Sequence, residues 1–107
     1  MQHDSELDIT KNIRLIEWLK TELITGVAEV YRLLLKGARV SQDTIADVLA
    51  NIIIVCYLLG KRLGVPYMIV DQKLESKIRL GIIEEHEVEK THGDLSSLSS
   101  YIHNNRG

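Results

Sequence analysis

The residues best able to do chemistry are acids set on strongly apolar segments. Glu22 and Glu29 are seven apart, a spacing that returns them to nearly the same helix face. Asp43, Asp47 and Asn51 step by four and share a face as well. Carboxylates have little reason to sit on a central helix unless they are paired or hold a cation. Two antiparallel helices presenting these acids to each other would supply the hard oxygen ligands that Mg2+ prefers. The plainer alternative puts Glu22 and Glu29 in solvent. Asp47 and Asn51 then sit near water at a helix start, where acids gain from the helix dipole.

The elements that must position these acids are helices. Residues 8–36 carry Ile9, Ile13, Ile16, Leu19, Leu23, Val27, Val30 and Leu34 at spacings of three and four, which predicts one buried helical stripe. Thr25-Gly26 is its weak point, since a helix-interior glycine costs about 1 kcal/mol against alanine. The segment is expected to be one long kinked helix or two helices meeting there, ended by Gly37. Ser41 is the expected N-cap of a second helix over 44–63, with Asp43 in its first turn and Gly64 and Pro66 as stop signals. Its middle, Ile52 to Leu59, is apolar on every face. Asp47, Asn51 and Lys61 cut the run short of the roughly 20 apolar residues that a bilayer span needs. A central helix packed on more than one side is expected instead, with a second subunit on one of them. A third amphipathic helix over 67–80 follows, then an acidic run (84–89) expected to continue helically toward Gly93. Asp94 is expected to cap a last short helix, and Asn104 to Gly107 to fray.

Composition bounds the rest. The chain has 107 residues, a formal net charge of -2, 45% apolar and 26% charged residues, a single proline and no phenylalanine. One domain over 1–107 is expected, with its core in 8–80 and an acidic, C-terminal helical tail over 81–107. The charge has the wrong sign for a protein that lives on nucleic acid. Cys56 is the only cysteine, which excludes an internal disulfide or a CxxC metal site and fits a reducing cytoplasm. The polar, acidic start is not a secretory signal, so a cytoplasmic protein with no membrane contact is expected.

Other motifs point to less. His86, Glu87 and His92 lack the four-residue histidine spacing of a zinc protease helix. Glu84, Glu85, Glu87 and Glu89 read most simply as a solvated face. Gly60 and Lys61 do not make a phosphate-binding loop, because Arg62 stands where Ser or Thr belongs. Cys56 is expected to be a buried, inert thiol, and Trp18 a packing or interface residue.

The segments VAEVYRLLLKG and IADVLANIIIVCYLLGKRLGV resemble the core of the MazG-like all-α nucleoside triphosphate pyrophosphohydrolases, a likeness spanning residues 13–80. The resemblance implies an all-α helical bundle assembled as a homodimer or a dimer of dimers. It also implies that acids in an E-E-x-x-E and an E-E-x-x-D motif bind Mg2+, which positions water to split a nucleoside triphosphate into monophosphate and pyrophosphate.

Carried over position by position, the match is partial. Glu29 matches the last acid of the first motif, while Thr25 and Gly26 stand at the two acidic positions before it. Asp47 matches the last acid of the second, and Asp43 and Thr44 precede it. The implied metal ligands are therefore Glu29 and Asp47, with Glu22 and Asp43 as auxiliaries. Glu29 and Asp47 are the implied catalytic pair. Asn51, Lys73, Lys77 and Arg79 are the expected substrate contacts. Half of the acid set is missing, so Mg2+ is expected to bind weakly or not at all, and two-metal catalysis is doubtful. The expected function is a weakened or inactive nucleotide pyrophosphohydrolase. The alternative is a non-catalytic helical dimer that binds a nucleotide or a protein.

Overall fold

The computed structural model describes the backbone of residues 2–105 and the side chains of 8–105, so Arg106 and Gly107 of the expected frayed end lie outside the described residues. It is all-α, with no strand among the described residues. The helices are α1 (Gln2–Leu34), α2 (Gln42–Arg62), α3 (Tyr67–Ile83), α4 (Glu87–His92) and α5 (Asp94–Asn105), with a single 3-10 turn over Gly37–Arg39. The chain divides into two compact units, Met1–Tyr67 and Met68–Gly107.

The first unit is an antiparallel hairpin of α1 on α2. Leu19, Gly26 and Leu33 are buried along α1, flanked by the half-buried Asn12, Ile16, Leu23 and Val30. Those positions alternate in steps of four and three, the spacing of a straight coiled-coil seam. On α2 the matching seam is Ile45, Val48, Ile52, Val55 and Leu59, with Val55 the buried centre. The seam keeps Ile16, Leu19, Leu23 and Val30 of the expected stripe and departs from it at the other four positions. Ile9, Ile13, Val27 and Leu34 are 59, 55, 43 and 64% exposed, because Asn12 and Gly26 take the facing positions and rotate those four to the side.

Gly26 is no kink. The helix runs through it without a break, and a Cβ there would lie 2.8 Å from Cγ1 of Ile52. The glycine is the point of closest approach between the two helices, and packing offsets its poor propensity. The hairpin ends are tied by polar contacts. The Asn12 side-chain amide donates to the Arg62 carbonyl at 3.1 Å. The Ser41 hydroxyl accepts from the Thr44 backbone N–H at 3.1 Å, the expected N-cap. Gly64, at φ +87°, closes α2 in the left-handed conformation that glycine favours.

Within the first unit α2 packs on α1. Only Val55 is fully buried, while Ile53 and Ile54 are about half exposed. By length and composition α2 is a helix able to cross a membrane. Cys56 is exposed rather than buried, since it falls one position round from the seam.

In the second unit the acidic run reaches Gly93 as helix only after a break over residues 84–86. Glu85 takes a positive φ of 52°, and His86 begins α4 afresh, its Nδ1 accepting from the Val88 N–H at 3.3 Å. Gly93, at φ +65°, ends α4. Glu89 then reaches into α5, where its carboxylate accepts from the Ser96 backbone N–H at 2.9 Å and from the Ser96 hydroxyl. These bonds satisfy free N–H groups at the start of a serine-rich helix that forms poorly alone. They also hold the Glu89 carboxyl below the usual glutamate range. Gly81 lets α5 come close: a Cβ there would lie 2.6 Å from Cδ1 of Leu95.

Candidate functional site

At 100° per residue, the two flanks of the hairpin seam carry different chemistry. On one side Ile13, Ile24, Val27 and Tyr31 of α1 and Leu49 and Ile53 of α2 form an exposed, largely aliphatic strip. On the other side is a shallow cleft of ≈ 210 Å³, lined by Glu22, Thr25, Gly26, Glu29, Asp47, Val48 and Asn51. Four residues singled out from the sequence thus share one cleft: Glu22, Glu29, Asp47 and Asn51. α1 delivers its two acids two turns apart, and α2 delivers Asp47 and Asn51 one turn apart. The antiparallel pairing of Gly26 with Ile52 brings these stretches level.

Asp43 does not line the cleft. It lies in the exposed first turn of α2, one turn before Asp47. Lys73, Lys77 and Arg79 belong to α3 in the second unit and are exposed there. Arg79 borders a separate small cavity of ≈ 80 Å³ with Glu75, Ile78, Ile82, Ser99, Ile102 and His103. His86 and His92 serve local hydrogen bonds to Val88 N–H and to the Thr91 hydroxyl.

The sequence reading missed Arg32. Its guanidinium grips both oxygens of Glu29, Nε to Oε2 at 3.0 Å and Nη2 to Oε1 at 2.5 Å. The Glu29–Arg32 spacing of three was the available signal, since residues three apart on a helix are neighbours. This hydrogen-bonded charge holds the Glu29 carboxyl below the usual glutamate range, against a smaller opposing effect of desolvation. Thr25 and Gly26, which stand where the resembled motif carries acids, are also in the lining. There Thr25 offers a hydroxyl and Gly26 offers only close packing.

Do these residues fit the Mg2+ implied by the resemblance? Mg2+ demands near-ideal octahedral oxygen coordination, and a two-metal site needs several converging carboxylates. Among the described residues no group of three or more His, Cys, Asp or Glu side chains converges to hold a metal ion. Glu29, the best-matched ligand, already has both oxygens engaged by Arg32. At position 26 the space an acid would need is filled by Ile52. The donor set does not fit a four-carboxylate, two-metal centre.

No curated protein and no solved structure matches the chain. A family model described as the MazG-like family does match, over residues 9–95. That span takes in the hairpin, the cleft, α3 and α4. Matched by the family model over most of its length and helical among the described residues, the chain belongs to the MazG-like family.

Proposed function

We propose that this protein is a nucleotide pyrophosphohydrolase-type member of its family with a depleted acid set. It takes a nucleoside triphosphate at the α1–α2 cleft. It cleaves the nucleotide to the monophosphate and pyrophosphate weakly or not at all. The observation that carries this is the gathering of Glu22, Glu29, Asp47 and Asn51 in one cleft beside a helix seam. Asp47 has no ion pair among the described residues and is the group to orient or deprotonate an attacking water. Asn51 and Thr25 offer neutral hydrogen bonds to phosphate oxygens. A cleft of ≈ 210 Å³ is smaller than the roughly 300 Å³ or more of sites that enclose a whole ligand, so it suits the phosphate end of a nucleotide.

The protein works as a homodimer or a dimer of dimers in the cytoplasm, without nucleic acid or membrane. The aliphatic strip opposite the cleft is the surface for the second copy. Exposed apolar strips of this kind mark interfaces.

The test is pyrophosphate release from a panel of NTPs and dNTPs with Mg2+ or Mn2+. Slow release that Asp47→Ala abolishes supports the proposal. Fast release, or release that survives the substitution, contradicts it. A second reading, a non-catalytic helical dimer that binds a nucleotide or a protein, is favoured by the Glu29–Arg32 pair. Absence of both release and nucleotide binding at the cleft leaves that reading in its place, as a dimer that binds a protein.

A further inference from the structure

We propose that Arg32 is the resident cation of this cleft and keeps divalent metal ions off Glu29. The inference rests on the reading of the cleft as the site of the hydrolytic family, and it explains why that site is weak. Three observations meet at Glu29. Both carboxylate oxygens are engaged by the planar fork of one guanidinium, from Nε and from Nη2. Arginine stays charged at every physiological pH, so the fork does not release by deprotonation. The neighbouring motif positions, Thr25 and Gly26, offer no carboxylate to share the load of a doubly charged ion.

The strength of the pair itself is not the point. An exposed ion pair three residues apart on a helix contributes little to folding. What matters is that a metal ion must displace the guanidinium and then sit within a few ångströms of it. Mg2+ sheds its own water reluctantly, and a divalent ion wants oxygens free to point at it. With Asp47 and Glu22 as its remaining anionic neighbours, an ion entering here meets a carboxylate already neutralised and a like charge beside it. The same lesion predicts its own reversal, because the Arg32 side chain is 59% exposed and its replacement should leave the fold intact.

Mn2+ is the probe, followed by the loss of its free-ion electron paramagnetic resonance signal. Wild type, Arg32→Gln, Arg32→Lys and the double variant Arg32→Gln/Glu29→Gln are compared, each checked for native helical content. Removing one unit charge within about 5 Å of a divalent ion is expected to tighten Mn2+ binding roughly tenfold in Arg32→Gln. Arg32→Lys, which keeps the charge but loses the fork, is expected to fall between. The double variant is expected to return to the wild-type level. Equal affinities in wild type and Arg32→Gln, or a gain that persists without Glu29, would overturn the proposal. Pyrophosphate release is read separately. An Arg32→Gln protein that gains Mn2+ yet neither binds nor cleaves a nucleoside triphosphate leaves this inference standing and counts against the hydrolase reading.

Discussion

The two units of this chain use acidic side chains in opposite ways. In the α1–α2 hairpin, packing is supplied by a long aliphatic seam, so Glu22 and Asp47 contribute nothing to holding the helices together. They are left lining a cleft with Asn51. In the second unit, short helices with few buried side chains depend on polar clamps. There Glu89 is spent on the backbone N–H and hydroxyl of Ser96. The difference shows when an acid in a helical protein is available for chemistry: when the apolar seam beside it makes its structural service unnecessary. Glu29 lies between these cases, in the cleft yet engaged by Arg32.

This contrast can be broken at the seam first. Leu19 is 3% exposed at the centre of α1. Leu19→Ala should cost about 2–5 kcal/mol and melt the hairpin at lower temperature or denaturant, read by circular dichroism. A loss below about 1 kcal/mol would mean that the seam does not carry the fold.

The two tight glycines sharpen the comparison. Gly26→Ala drives a methyl against Cγ1 of Ile52 at 2.8 Å, close to that residue's backbone. The clash should exceed the roughly 1 kcal/mol gain in helix propensity and leave the protein about 1 kcal/mol less stable. Gly81→Ala meets only the far end of Leu95, a Cδ1 at 2.6 Å that can swing aside. Its clash and its propensity gain should cancel to within about 0.5 kcal/mol. Equal losses at the two sites would remove the distinction between a rigid seam and a clamped second unit.

The smallest expected effect is a pH response of the clamp. Hydrogen bonds from Ser96 lower the Glu89 pKa in the folded chain. Its stabilising contribution is therefore complete above the ordinary glutamate range, about pH 4.3, and is lost as pH falls through the lowered folded value. Amide exchange in α5 should accelerate at that acid edge, and Glu89→Gln should show the faster exchange already at neutral pH. Exchange of the α1 and α2 seam amides should not follow Glu89.

Much of this was legible in the residues. Ser41 as an N-cap, Gly64 before Pro66 as a stop, and the helical class all follow from local chemistry and hold in the structure. The sharing of one cleft by Glu22, Glu29, Asp47 and Asn51 extended the helical spacing across an antiparallel pair. The seam shares Ile16, Leu19, Leu23 and Val30 with the apolar stripe and departs from it at Asn12 and Gly26, which are not apolar. Ile13 and Val27 beside them drew the expected stripe to their own side, although the helices meet where the side chains are small or polar. The break at Glu85 carries no glycine or proline to announce it, so a run of strong helix formers concealed a turn. Arg32 escaped notice because a charge three residues from an acid is the commonest decoration of a helix surface. Only its two-point grip on Glu29 sets it apart.

The most direct test of the account is a phosphorus magnetic resonance time course of a nucleoside triphosphate with Mg2+ and stoichiometric protein, which reads binding and chemistry in one sample. Broadened or shifted phosphate resonances are predicted. Monophosphate and pyrophosphate should accumulate slowly if at all, and neither effect should survive intact in Asp47→Ala. Rapid, complete conversion indifferent to Asp47, or resonances that the protein leaves untouched, would contradict it.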